Sequence, residues 1–135
     1  MPPLKCACLV DRRGSQLLLV RVRDNEHWYL PGGKIEGDES AESALQRELG
    51  EELGVEVEPG SIRYLCTVVG PAYGQPGLVE LVCFSAQWSG EPRAAGEISD
   101  VRWLDVTETS KFAPAVQLLC AQYPRLVSTV NAANT

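Results

Sequence analysis

The stretch Gly33-Lys34-Ile35-Glu36-Gly37-Asp38-Glu39-Ser40-Ala41-Glu42-Ser43-Ala44-Leu45-Gln46-Arg47-Glu48-Leu49-Gly50-Glu51-Glu52-Leu53-Gly54-Val55 carries the clearest helix signal in the chain. Ala41, Leu45, Leu49 and Leu53 recur at every fourth position, the pattern of a buried stripe on an α-helix. The spacing predicts a helix over residues 39–53, with Asp38 as N-cap and Gly54 just past the C-terminus. At about 100° per residue, Glu48, Glu51 and Glu52 share one arc roughly 100° wide. Like charges at this spacing destabilise an isolated helix by a few tenths of a kcal/mol per pair. Two readings are open. The arc is a solvated acidic face, or it supplies hard oxygen ligands to a divalent cation. Ala41 and Ala44 fall on the same arc, where small side chains would leave room for a ligand.

Outward from this stretch, the charge is uneven. The chain of 135 residues has a formal net charge of −6. Residues 33–58 hold nine acids and two bases, whereas the remainder holds nine acids and ten bases. A chain without a basic face is a poor binder of long nucleic acid. Apolar residues make up 44 % and charged residues 22 %, values of a globular chain of one-domain size. A single domain over residues 1–135 is expected, with a polar tail that frays from about residue 124. No apolar run approaches the ~18 residues of a membrane span. The five cysteines are an odd number with no C-x2-C pair. With no export signal near Met1, these features point to reduced thiols and a cytoplasmic protein.

Residues 4–10 and 16–22 are β-prone and flank Asp11-Arg12-Arg13-Gly14-Ser15, which predicts a hairpin. Trp28-Tyr29-Leu30 reads as a third strand, stopped by a loop at Pro31-Gly32-Gly33. Residues 62–69 and 78–88 read as long strands around a Gly/Pro-rich turn. After a loop over 90–96 come a strand at 101–104 and a helix at 114–122, with Pro114 in its first turn. This order fits an α/β fold in which helices pack on the faces of a mixed sheet. Cys6 and Cys8 share a strand face and read as packing. Trp28 and Trp88 read as core residues.

The full spacing adds a resemblance. Gly33, then Glu39 after five residues, then Arg47-Glu48-Leu49-Gly50-Glu51-Glu52-Leu53-Gly54-Val55 after seven more, is similar to the Nudix box at every specified position. The resemblance implies a Nudix-type α/β/α sandwich, a mixed β-sheet with helices on both faces. It implies hydrolysis of a phosphoanhydride bond in a nucleoside diphosphate linked to another moiety. Carried over from the family, Glu48, Glu51 and Glu52 bind Mg²⁺ (or Mn²⁺), Gly32 offers its carbonyl, and Glu39 pairs with Arg47 to support the box begun by Gly33. Such ions neutralise pyrophosphate oxygens and lower the pKa of a bound water, and a carboxylate removes its proton.

Glu97, six residues before Trp103, resembles the family's downstream loop glutamate, a metal ligand or general base. Glu80 is the runner-up. Arg21 and Arg23, at i and i+2 on a strand, lie where the antimutator branch has a substrate-contacting arginine. Tyr73 is a candidate base-stacking residue, close to a tyrosine of dinucleoside polyphosphate hydrolases, and Pro71 is close to a proline of the ADP-ribose group. Residues 111–116 resemble the antimutator pattern, but Val116 stands where that branch reads the base with asparagine. The implied partner is a nucleotide-type small molecule, and family members often form homodimers. The alternative class is a non-catalytic nucleotide-binding or sensor Nudix domain, which typically loses a box glutamate. This chain keeps all of them.

Overall fold

The computed structural model describes residues 3–72 and 76–127. Its strands are β1 (Leu4–Leu9), β2 (Arg12–Arg13), β3 (Gln16–Val22), β4 (Gly32–Lys34), β5 (Glu56–Val57), β6 (Arg63–Pro71), β7 (Leu78–Ser85), β8 (Trp88–Ser89) and β9 (Ile98–Asp105). Its helices are α1 (Ala41–Leu53), α2 (Pro114–Gln122) and α3 (Pro124–Val127). One sheet runs β4-β1-β7-β6 and is mixed, since β1 pairs with β7 in parallel and the other pairs are antiparallel. A second, antiparallel sheet runs β2-β3-β9, and β5 pairs with β8.

β1 and β3 are apolar on both faces because both faces are covered. Ala7, Leu9, Leu18 and Val20 pack with Leu45, Leu49 and Leu53 of α1. Their neighbours Cys8, Val10, Leu17 and Leu19 pack with Val116 and Leu119 of α2. The helices therefore lie on opposite sides, which is the expected α/β sandwich.

The predicted hairpin between residues 4–10 and 16–22 does not form. β1 gives one edge to β4 and the other to β7, so none is left for β3. The chain leaves that sheet after Val10, whose N–H meets the Phe84 carbonyl at 2.8 Å. The turn closes a shorter hairpin between β2 and β3, with Arg13 opposite Gln16 and Gly14 at φ +60°.

The loop expected at Pro31-Gly32-Gly33 is replaced in part by a strand. Gly32, Gly33 and Lys34 pair with Cys8, Ala7 and Cys6. Gly32 has φ +141°, and a side chain there would run into the Ala7 carbonyl. Its lack of a Cβ thus serves an approach to β1. Trp28 and Tyr29 make only isolated bridges, to Phe112 and Val20. The segment expected as one strand at 78–88 divides into β7 and β8.

In α1 the N-cap is Ser40, not Asp38. The Ser40 hydroxyl accepts from the Ser43 N–H at 3.1 Å, and Gly54 ends the helix at φ +67°. The core-facing stripe is Ala44, Leu45, Leu49 and Leu53. Ala44 is fully buried and Ala41 only partly, so Ala44 packs in the core and does not make room for a ligand. Residues 124–127 form a helical turn in place of the expected fraying, and residues 128–135 lie outside the described residues.

Candidate active site

The segment from β4 to the end of α1 is tied together by Arg47. Its guanidinium grips Glu39 at two points, Nη2 to Oε1 at 2.6 Å and Nε to Oε2 at 3.2 Å. The same Nη2 donates to the Lys34 carbonyl at 3.0 Å, and Nη1 reaches Glu48 at 2.8 Å and Glu51 at 3.6 Å. A planar fork with five N–H donors suits this many acceptors, and a lysine could not reproduce it. The hydrogen bond from Arg47 holds the Glu39 carboxyl below its ordinary range, helped by the Glu36 N–H. Gly33 completes the arrangement, because a side chain there would occupy the space of the Glu48 carboxylate.

The acidic arc gathers around Glu52. Burial pushes the Glu52 carboxyl up to about 8, with Glu48, Glu97 and Glu51 adding repulsion and the Gly32 N–H opposing it. That N–H points at Glu52 Oε1 from 3.4 Å. Glu97 reaches this group from the loop before β9, where Ala95 N–H bonds the Glu52 carbonyl and Arg93 N–H bonds the Leu53 carbonyl, both at 3.0 Å. The runner-up, Glu80, lies on β7 and meets Lys5 at 3.8 Å.

Glu52 also lines a cavity of about 180 Å³. Leu4, Cys6 and Cys8 of β1 and Leu81 of β7 form one part of its wall, and Ala113, Ala115 and Val116 form another. The second part is held in place by Trp28, whose N–H bonds the Lys111 carbonyl at 2.8 Å and whose carbonyl accepts from Ala113 at 2.9 Å. A cavity of this size accepts one ring-sized apolar group.

The NUDIX domain family matches residues 1–121. The chain belongs to the Nudix family. It is 36 % identical over 115 residues to a MutT-like protein of Streptomyces ambofaciens, covering 82 % of this chain and 70 % of that one. It is 36 % identical over 107 residues to the putative 8-oxo-dGTP diphosphatase 2 of Mycobacterium tuberculosis, covering 68 % of this chain and 74 % of that one. Among solved structures, the MutT NUDIX hydrolase of Burkholderia pseudomallei superposes with a TM-score of 0.73 at 25 % identity, covering 91 % and 99 % of the two chains. The chain is a Nudix hydrolase of the α/β type.

Nudix hydrolases generally depend on a divalent metal. The donor set here suits such a cation: hard carboxylate oxygens about a half-buried Glu52 that is crowded by Glu48, Glu97 and Glu51 and met only by the long Gly32 N–H contact among the described residues. Among the described residues, no three carboxylate, imidazole or thiol groups already converge as a metal cage. Glu48 and Glu51 pair with Arg47 instead, at 2.8 and 3.6 Å.

The two strand arginines do not share a face as expected. Arg21 lies on β3 with its guanidinium 5.4 Å from the Trp28 ring centre. Arg23 lies past the strand end at φ +51° and pairs with Glu97 at 2.7 Å. Tyr73 lies outside the described residues. Trp28 is buried as expected, whereas Trp88 is partly exposed, with its indole N–H on Asp11 at 2.7 Å. Of the cavity wall, Pro71 and Val116 are singled out by the sequence, whereas Cys6 and Cys8 read only as packing. Their one-face spacing with Leu4 was the available signal.

Proposed function

We propose that this hydrolase cleaves a phosphoanhydride bond in a nucleoside diphosphate linked to another moiety, with Mg²⁺ or Mn²⁺ as cofactor. The observation that carries the reading is the position of Glu52, which belongs to the carboxylate group and to the cavity wall at once. A substrate with an anionic chain on one end and a ring on the other fits that junction. Glu48, Glu51 and Glu52, with the Gly32 carbonyl, are the groups that would hold the cation. When bound, it supplies charge neutralisation at the phosphate oxygens and a more acidic water. Glu97 takes the proton of the attacking water. Arg47 and Glu39 keep the helix carboxylates in register with β4.

Among the described residues, the cavity around Val116 is lined mainly by aliphatic side chains and by no side-chain amide, which favours holding the ring by contact. A hydrophobic site of this kind discriminates weakly between similar substrates. Among the described residues, no helix is long and apolar enough to cross a membrane. A cytoplasmic location goes with this reading, since all five cysteines are free thiols.

The test is phosphate release from a panel of nucleoside di- and triphosphates, nucleotide sugars and dinucleoside polyphosphates, with Mg²⁺ and with Mn²⁺. Glu52→Gln is expected to lower kcat about a thousandfold while melting no lower than wild type, because it swaps a half-buried carboxyl among like charges for an uncharged amide of the same shape. Turnover that survives in Glu52→Gln sinks the reading.

A further inference from the structure

The register of β3 against β9 slips by one residue at the site. Arg21 faces Asp100, but Val22 faces Ile98, so Ser99 is an extra residue on β9. Such bulges re-aim neighbouring side chains. Here the slip brings Arg23 opposite Glu97. The Ser99 hydroxyl steadies it, donating to the Arg21 carbonyl at 3.1 Å. Arg23 is the only non-glycine at positive φ among the described residues, a conformation that L side chains disfavour. In that conformation it contacts Glu97 twice: its N–H meets the Glu97 carbonyl at 2.9 Å and Nη2 meets Oε1 at 2.7 Å. The other side of the loop is moored to the last carbonyls of α1 through Arg93 and Ala95.

We propose that Arg23 is a positioning residue, which holds the Glu97 carboxylate beside Glu52 by clamping the bulged start of β9. The proposal rests on the hydrolase reading above for the role of Glu97. Arg23 engages Oε1, so Oε2 is free of that bond. The pair is solvent-exposed on both sides, so the side chain contributes modestly, and the expected effects are about fivefold.

The experiment compares wild type with Arg23→Gly, which removes the side chain and suits the positive φ, and with Arg23→Lys, Glu97→Gln and the Arg23→Gly/Glu97→Gln double variant. In metal-free protein, amide exchange at Ala95 and Ile98 is expected to quicken about fivefold in Arg23→Gly. In turnover, kcat falls about fivefold with KM within about twofold, Arg23→Lys recovers part of the loss, and Glu97→Gln abolishes any further effect of Arg23→Gly. Unchanged exchange overturns the clamp. A raised KM at constant kcat, or losses that add in the double variant, overturns it in favour of direct substrate contact. If wild type hydrolyses nothing in the panel, the hydrolase reading fails by itself, while the exchange data still decide whether Arg23 holds the loop.

Discussion

The carboxylate rim and the apolar wall meet at Glu52 but are built in opposite ways. Apart from Glu97, the rim comes from one run of chain, residues 32–54, held by the bonds of Arg47 to Glu39, Lys34 and Glu48. The wall draws on β1, β7 and the start of α2, segments spread over more than a hundred residues of chain that meet through sheet pairing, core packing and the Trp28 bridge. Local construction keeps reacting groups in fixed relation whatever happens elsewhere. Distributed construction lets a single wall residue change without disturbing the rim. Chemistry and substrate choice should therefore respond separately to substitution.

After Glu52→Gln, the largest expected effects come from the adjacent glycines of β4. In Gly33→Ala the atoms nearest the new methyl are the carboxylate and Cγ of Glu48, the movable end of a side chain. Glu48 must shift, and misplacement of about 1 Å in such a group costs about a hundredfold in rate. In Gly32→Ala the methyl meets the backbone of Ala7 and Cys8, which cannot give. That variant is expected to lose up to about 3 kcal/mol of stability. Urea melts and kcat for the two variants break the comparison if Gly33→Ala unfolds as readily as Gly32→Ala.

The local part was the legible part. The end of α1 at Gly54 and the span of α2 follow from spacing, and the Glu39–Arg47 pair from the family resemblance, because each depends on residues within a few turns of one another. The pairing of β1 was not legible. Its apolar run fits any buried position, and only the positions of β4 and β7 exclude a hairpin with β3. The N-cap was misassigned because Asp38 and Ser40 both suit the role, and the Ser43 N–H selects Ser40. The Ser99 bulge left no mark in sequence, since an extra residue is extra only relative to a partner strand.

A smaller effect tests the wall alone. Cys6 is half-buried and lines the cavity. Cys6→Leu fills part of that space, and a difference of one or two methylenes in an apolar pocket changes affinity about tenfold. KM is expected to rise by that factor at unchanged kcat. A fall in kcat at constant KM would show that wall and rim are coupled through β1.

The smallest effect is the pH dependence of the rim's own brace. Glu39 is held below its ordinary value of 4.5, first by the Arg47 hydrogen bond and next by the Glu36 N–H. The folded state thus favours the ionised carboxylate. The resulting stability is fully present above the unfolded value and is lost as pH falls through the lower folded value. Asp105, bonded by Thr107 and Ser15, and Glu108, bonded by Lys111, are shifted in the same direction away from the rim. Wild type should therefore lose thermal stability below about pH 4.5, and Glu39→Gln should lose less over the same interval without becoming flat, because the other two carboxylates still titrate. Melting curves taken from pH 7 to 3 measure the difference. Parallel curves for the two proteins would mean that Arg47 holds the helix through Glu48 and Lys34 alone, and that the rim is less locally braced than its geometry implies.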